Sequence, residues 1–450
     1  MIVVKFGGTS VGDAAAIQRA AEIVRGRLGR RPIVVVSAMS GVTNELLAVA
    51  EQAANGQLIG ALSAVESLRD RHLAAATALL GDDDGEVGAE LSATIDELAS
   101  LAEALCTLGH LTPRSLDTIG AVGERLSAPL VAAAFARAGL PAELVDSRQV
   151  IITDDAYMRA EPMLDAIAER SRTVLLPLVK SRRVPILGGF IGATTQGVTT
   201  TIGRGGSDYT ASLVGAALRA DAIEIWTDVD GMLTADPRVV GDAKLIGRIR
   251  FDEASELASF GAKVLHPSTI APAVQLGIPV YVFNSRNPKG TGTEITFDAP
   301  PCPVRAIAGK TGIAVVKVRS PKMLFAHGFL RTVFDVFARH RISVDVVATS
   351  EVSISVTVDE SAGLEGLIVE LSQLGDVSIE RNRGIVALVG ASLSDDGAAM
   401  ARALTAIGSV RVHMLSLSAT GINLTIIIDG AEVPQAMQRL HRAFFGEDVS

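Results

Sequence analysis

Over the first 290 residues, short β-branched runs alternate with long Ala/Leu-rich stretches of helical period, and that alternation leaves few folds open. "MIVVKFGG" leads to "GDAAAIQRAAEIVRG", "PIVVVSA" leads to "GVTNELLAVAEQAA", and "AIEIWTD" and "IPVYVFN" follow later. Strand, glycine turn, helix and strand again is the order of a doubly wound α/β unit with a mainly parallel sheet. A sheet covered on both faces needs apolar cores of Val, Ile, Leu and Ala, which suits 48% hydrophobic residues with only 4% aromatic ones. Residues 56–110 read as mostly helical, broken at "GDDDGEVG". Its three aspartates lack the alternating spacing of a calcium loop and read as a solvated turn.

Periodicity lapses at "NPKGTGTEITFDAPPCP", residues 287–303, where Pro, Gly and Thr accumulate. Beyond it, two units of about seventy residues repeat one order of elements. "GIAVVKV", "GFLRTVFDVFARH", "SVDVVATS", "VSISVTVD", "GLEGLIVELSQLG" and "DVSIERN" spell βαββαβ. "GIVALVGA", "DGAAMARALTAIG", "VRVHMLSLSA", "INLTIIID" and "EVPQAMQRLHRAFF" repeat it without a final strand. The strand-like run 304–309 is expected to fill the vacant place, which would insert the first repeat within the second. The expected division is a catalytic domain over 1–290, a linker over 291–312 holding that strand, and repeats over 313–384 and 385–450.

At 450 residues the chain exceeds a single core. A net charge of −9 without any basic run argues against a nucleic-acid partner. Cys106 and Cys302 stand far apart with no metal-ligand spacing, so neither a disulfide framework nor a protein-held metal is expected. The first residues carry no signal-peptide pattern and no run of eighteen apolar residues occurs, so the expectation is a cytoplasmic protein that does not span a membrane.

Two glycine turns carry the chemistry. In "VKFGGTSVGD", Lys5 ends a strand and Gly7, Gly8, Thr9 and Ser10 form the turn; in "TTIGRGGSDYTA", Gly203, Gly205 and Gly206 precede Ser207 and Asp208. Glycine turns at helix starts expose N–H groups and a positive dipole end, which favour phosphate. Neither turn has the Walker or the dinucleotide spacing. A lysine beside one, with an arginine and an aspartate beside the other, points to phosphoryl transfer.

With "VVVSAMSGVTN", "IWTDVDGMLTADPR" and "FGAKVLHP", these stretches resemble the motifs of aspartate kinases in the amino acid kinase family, and the doubled repeat resembles their C-terminal ACT domains. The resemblance spans residues 1–445. It implies an amino acid kinase-like α/β/α sandwich with a mainly parallel central sheet, then two ferredoxin-like βαββαβ domains. It also implies ATP-dependent phosphorylation of the β-carboxylate of L-aspartate, the entry to lysine, threonine and methionine synthesis. Carried over residue by residue, Lys5 and Lys263 hold phosphates and Asp208 orients the lysines. Arg204 clamps the substrate α-carboxylate, Glu124 faces its ammonium, and Ser37, Thr43, Gly205 and Ser207 line it. Gly7, Gly8, Thr9, Ser10, Thr227, Asp228 and Arg238 complete the nucleotide side, with Mg2+ brought by ATP. Many relatives have a tyrosine where Leu233 stands. "DVDG" also admits a metal reading for Asp228 and Asp230, which a turn after a strand explains equally well.

The ACT resemblance implies a lysine effector at Met323, Gly328, Phe329, Leu330, Ser343, Val344, Asp345, Thr349, Ser350 and Glu351. Asp345 and Glu351 would meet its ammonium, and Ala326 replaces a serine common in relatives. A homodimer or higher homo-oligomer through the repeats is expected, as is the absence of a fused homoserine dehydrogenase. The alternatives are a kinase of glutamate or N-acetylglutamate and a catalytically silent amino-acid sensor.

Overall fold

The computed structural model describes residues 1–81, 85–203, 205–260, 265, 267–324, 326–360, 363–391, 393–394 and 397–446. The chain forms two compact units, Met1–Met232 with Val264–Asp298 and Leu233–Lys263 with Ala299–Ser450.

The strands of the first unit are β1 (Ile2–Phe6), β2 (Pro32–Val36), β3 (Ala142–Val145), β4 (Ile152–Thr153), β5 (Val184–Gly188), β6 (Ile191–Thr194), β7 (Thr199–Thr201) and β8 (Ala222–Thr227). After β9 (Arg248–Arg250) of the second unit come β10 (Val280–Asn284) and β11 (Thr293–Thr296). The main sheet runs β3-β5-β2-β1-β8-β10-β11. Every pairing up to β10 is parallel, and β11 returns antiparallel. Every residue of β1, β2 and β5 is buried, as unbroken β-branched runs require when helices cover both faces. A small sheet, β4-β6-β7, lies beside it in the chain order.

The helices are α1 (Ala14–Arg25), α2 (Val42–Ala54), α3 (Leu58–Leu80), α4 (Gly85–Leu108), α5 (Pro113–Gly120), α6 (Val122–Arg137), α7 (Leu164–Arg170), α8 (Leu176–Lys180) and α9 (Gly206–Leu218). α10 (Phe251–Ser259) belongs to the second unit and α11 (Pro267–Gln275) to the first. Local chemistry sets their starts: Asp13 accepts the Ala16 N–H at 2.7 Å, and Thr112 accepts that of Ser115 with Pro113 next in line. Among the described residues one stretch, Pro113–Arg137, has the length and apolarity to cross a membrane, but 83% of its apolar window is buried, as in a core helix.

In the second unit, β12 (Ala306–Arg319), β13 (Val347–Thr349), β14 (Ser353–Asp359), β15 (Asp376–Val389), β16 (Met414–Leu417) and β17 (Asn423–Asp429) form one antiparallel sheet ordered β13-β14-β12-β15-β17-β16. Helices α12 (Phe329–Arg339), α13 (Leu364–Leu371), α14 (Gly397–Ile407) and α15 (Val433–Phe445) complete the two repeats. Ala306–Thr311 pair with Gly384–Val389 of the second repeat, and Ile313–Arg319 continue as the first strand of the first. Boundaries at 312 and 384 therefore fall within two continuous strands, bent at Gly312 (φ 73°) and near Asn382 (φ 56°). Both residue types tolerate a left-handed backbone, which lets one strand serve two sheets' worth of pairing. The division also differs from one at residue 290, because residues 233–263 sit with the C-terminal unit.

Candidate active site

The two glycine turns meet. β1 carries Lys5 to its C-terminal end, and α9 carries Asp208 in its first turn; their Nζ and Oδ1 atoms stand 2.6 Å apart, with both side chains largely buried. Gly205 (φ 70°) precedes α9 and no side chain caps it; the Gly206 N–H donates to the Gly203 carbonyl (3.1 Å), and the positive dipole end of the helix favours an anion beyond it. Fold packing also demands glycine here. A Cβ on Gly206 would lie 2.5 Å from the Phe190 ring, and one on Gly189 would lie 2.6 Å from the Ser207 Cβ. That interlock reveals a third glycine turn, Gly188–Gly189–Phe190, which sequence reading overlooked because "GGF" alone has no chemical partner nearby.

In the first turn, a Cβ on Gly8 would come 3.0 Å from the Ala38 carbonyl, and the Gly7 N–H donates to the Trp226 carbonyl at 3.0 Å. The buried Ser10 hydroxyl donates toward the Trp226 carbonyl (3.1 Å) and bonds Ser285 Oγ (2.8 Å), so it braces the turn. Thr9 occupies the same short turn, Gly8–Ser10.

Glu124 lies in the first turn of α6, only 3% exposed. A Cβ on Gly123 would be 2.7 Å from that of Ala38, so the missing side chain is what lets the helix approach the loop after β2. There Glu124 Oε1 accepts the Ala38 N–H at 3.0 Å, while Oε2 has no partner within the protein. Burial pushes the carboxyl up to about 8, against the opposing pull of the Ala38 N–H and the Lys5 charge. Ser127 Oγ donates to the Ser37 carbonyl at 2.8 Å and fixes the same loop; Ser37 and Thr43 are half-buried, and Ser207 is buried.

Asp117 is the second residue that sequence reading missed. Fully buried on α5, it accepts the Met158 N–H (2.9 Å), the Thr201 N–H (3.0 Å) and the Thr201 hydroxyl (2.5 Å). Burial raises its carboxyl pKa and these bonds oppose the rise. It thereby ties β7, which leads into Gly203, to the helix before Glu124. In "TPRSLDTIG" it looks like an ordinary helix-face acid. Arg204 and Lys263 lie outside the described residues.

At the stretch that the resemblance assigns to the nucleotide, Thr227 Oγ1 bonds Asp228 Oδ1 (3.2 Å), the Thr227 carbonyl accepts the Ser285 N–H (2.8 Å), and Asn284 Nδ2 donates to Asp230 (2.9 Å). These bonds build a turn, and among the described residues no three metal-ligating side chains gather. Arg238 belongs to the second unit, where it is mostly exposed and pairs with Asp236 at 2.6 Å.

Of the residues expected at an effector site, Met323, Gly328, Phe329, Leu330 and Glu351 line one cavity of 510 Å³, with Ala326. α12 begins there after Gly328 (φ 83°) without a side-chain cap, leaving backbone amides at its mouth. The Asp345 carboxylate meets the protein's own Lys310 ammonium at 2.9 Å, which Asp359 shares at 2.7 Å, so one cation stands between two carboxylates. Val344 packs against the first repeat's core, Ser343 is exposed, Thr349 ends β13 and Ser350 bonds Ser353 (2.7 Å).

A lysine–aspartate pair joins two glycine turns at the C-terminal end of β1, a central strand of the parallel sheet, an arrangement suited to an anionic ligand on an α/β scaffold. The chain belongs to the amino acid kinase family, whose model matches residues 1–284. It is 37% identical over 454 residues to the lysine-sensitive aspartokinase 3 of Escherichia coli K12, covering 99% of both. It is 35% identical over 470 residues to the chloroplastic aspartokinase 3 of Arabidopsis thaliana, covering 99% of this chain and 82% of that one. Among solved structures, E. coli aspartokinase III with aspartate and ADP (R-state) matches with a TM-score of 0.86 at 37% identity, covering 99% of this chain and 100% of that one. The same enzyme with lysine and aspartate (T-state) matches at 0.84 and 37%, covering 99% of each.

Proposed function

We propose that this protein is an aspartate kinase whose Lys5, Asp208 and Glu124 form the working centre, and that free lysine inhibits it through the first C-terminal repeat. The observation that carries the reading is the Lys5–Asp208 pair set beside a buried glutamate with a free oxygen. A side-chain carboxylate near its ordinary pKa of about 3.9 is already an anionic nucleophile at neutral pH, so no general base is required. The task is to relieve repulsion between that carboxylate and the γ-phosphate and to keep the two in line. Lys5 supplies the positive charge, and Asp208 holds its ammonium in place. The uncapped start of α9 adds N–H donors where charge builds.

Glu124 takes the substrate ammonium on its free Oε2, which accounts for an acid kept buried without a full set of partners. Arg204 takes the α-carboxylate, a match of planar fork to carboxylate. Mg2+ arrives with ATP. Lysine is read by the cavity at Glu351, and its grip must be tighter on a low-activity state for inhibition to follow. A cytoplasmic setting and assembly through the repeats belong to the same reading. A silent sensor would have no use for the Lys5–Asp208 pair. The test is hydroxylamine trapping of the acyl phosphate from ATP with aspartate, glutamate and N-acetylglutamate, with and without millimolar lysine. Product from aspartate alone, suppressed by lysine, is expected; product from another acid, or from none, overturns the reading.

A further inference from the structure

Two bulky residues of the first unit stand on left-handed backbones, Met158 (φ 73°) and Phe190 (φ 65°). Such a conformation is costly for any residue with a large side chain, and it persists only where the surroundings hold it. For Met158 the holder is Asp117, fully buried on α5. Its Oδ1 accepts the Met158 N–H (2.9 Å) and the Thr201 hydroxyl (2.5 Å), while Oδ2 accepts the Thr201 N–H (3.0 Å). The Thr201 carbonyl in turn accepts the Ala160 N–H (3.0 Å), so β7 and the Met158–Ala160 segment are tied to each other as well as to α5. That segment lies against the turn that opens α9: a Cβ on Gly203 would stand 3.7 Å from the Met158 carbonyl and 3.8 Å from the Arg159 Cα. Phe190 is fixed from the other side. Its N–H donates to Thr210 Oγ1 on α9 (3.0 Å), and its carbonyl accepts the Ile202 N–H (3.1 Å). A Cβ on Gly120, at the end of α5, would touch both the Phe190 ring (3.8 Å) and the Thr201 methyl group (4.0 Å).

One carboxylate thus joins two walls of the candidate site. Asp117 sits seven positions before Glu124, on the helix that leads into α6, and its bonds hold β7 where the chain turns into α9 with Ser207 and Asp208. We propose that Asp117 is a positioning residue for the acid substrate: it latches β7 and the Met158–Ala160 segment to α5, and so keeps the start of α9 in register with Glu124. The inference rests on the reading above, in which Glu124 and the start of α9 serve the substrate. The first glycine turn has other supports, Gly7 on the Trp226 carbonyl and Ser10 on Ser285, so the latch bears on the acid and not on the nucleotide.

Asp117→Asn keeps the shape of the side chain but turns one acceptor oxygen into a donor, so the Met158 N–H or the Thr201 N–H loses its partner. A buried group left unpaired in this way gives about a tenfold effect. The expected result is a rise of about tenfold in the KM for aspartate, with the KM for ATP and the calorimetric affinity for ADP unchanged. Adding Met158→Gly should recover about threefold of that loss, because glycine holds a left-handed backbone without help from Asp117. Thr201→Val, which removes the hydroxyl bond alone, should raise the KM for aspartate about threefold and serves if the asparagine variant does not fold. Equal changes in the two KM values, an unchanged KM for aspartate, or no recovery on adding Met158→Gly would overturn the inference, since each marks a carboxylate that only stabilises the fold. Acyl phosphate formed by the wild-type protein from a different acid counts against the proposed function alone, because the same comparison is then made with that acid. Wild-type protein that forms none from any acid overturns both.

Discussion

Two glutamates are buried in helical first turns, one in each compact unit, and their surroundings differ in a way that separates binding from bracing. Glu253, fully buried, has two backbone N–H donors and a guanidinium around it. Glu124, 3% exposed, has one N–H donor and an oxygen with no protein partner. Folding tolerates a buried carboxylate when its hydrogen bonds are complete, and an incomplete set destabilises the charged form. The shortfall at Glu124 is what the proposed function would use for a substrate ammonium, whereas the full set at Glu253 holds chain segments together.

The sharpest way to break this contrast is to remove each acid and ask what is lost. Glu253→Ala leaves two N–H groups and Arg305 without their acceptor, and such a loss from a buried pair costs about 3–5 kcal/mol. Denaturant unfolding of the variant should show a destabilisation of that size, with the largest change in the C-terminal unit by hydrogen exchange. Glu124→Gln should leave stability equal or improved, because a charge-averse site loses its charge. A destabilised Glu124→Gln would place Glu124 with Glu253 as a brace.

Next in size is Lys5→Met. Removing a charge-stabilising donor from a transition state costs about 10²–10³ in kcat, and acyl-phosphate trapping measures it. Because the Lys5 charge lowers the Glu124 pKa, the same variant should push that group further upward. An unchanged pH profile in Lys5→Met would separate the two groups and dissolve the proposed centre.

Much of this was legible beforehand, and the exceptions share a cause. The parallel sheet followed from unbroken apolar runs such as "IVVV", because a strand covered on both faces has no polar alternation to confuse it. The convergence of Lys5 and Asp208 followed from two glycine turns at helix starts. Asp117 escaped notice because its importance lies in Met158 and Thr201, partners 41 and 84 positions away that a local pattern does not connect. Ser10 and Asp345 likewise meet Ser285 and Lys310, partners remote in sequence that no local pattern connects. The membership of residues 233–263 in the C-terminal unit was hidden for the same reason: Thr234 meets His441 across 207 positions.

Glu124 also predicts a pH dependence with a definite sign. Its folded-state pKa stands at about 8 against an ordinary 4.5, so between those values the folded protein holds a proton that the unfolded chain has released. Stability should therefore fall as pH rises across that window and level off above about 8, and the slope should vanish in Glu124→Gln. Substrate capture runs the other way, because the ammonium of aspartate pairs with the ionised form. kcat/KM for aspartate should rise about tenfold per pH unit on the acid side and reach a plateau above about 8, while the KM for ATP stays flat. Glu124→Gln should lose both the acid limb and roughly 10–100-fold in kcat/KM, the range of a charge-assisted hydrogen bond.

The smallest expected effect tests whether the same logic extends to the first repeat. Glu351 lines the 510 Å³ cavity and is exposed, unlike either buried glutamate. With water to solvate it, its charge costs the fold little, and its attraction for a ligand ammonium is correspondingly weak. Glu351→Gln should therefore raise the lysine concentration for half-inhibition by only about fivefold, near the 1 kcal/mol expected of an exposed pair. Basal kcat and unfolding midpoint should not move. A complete loss of lysine response would mean that the cavity closes on its ligand and desolvates Glu351, making it resemble Glu124 once the effector is bound; an unaltered response would move lysine recognition away from this cavity altogether.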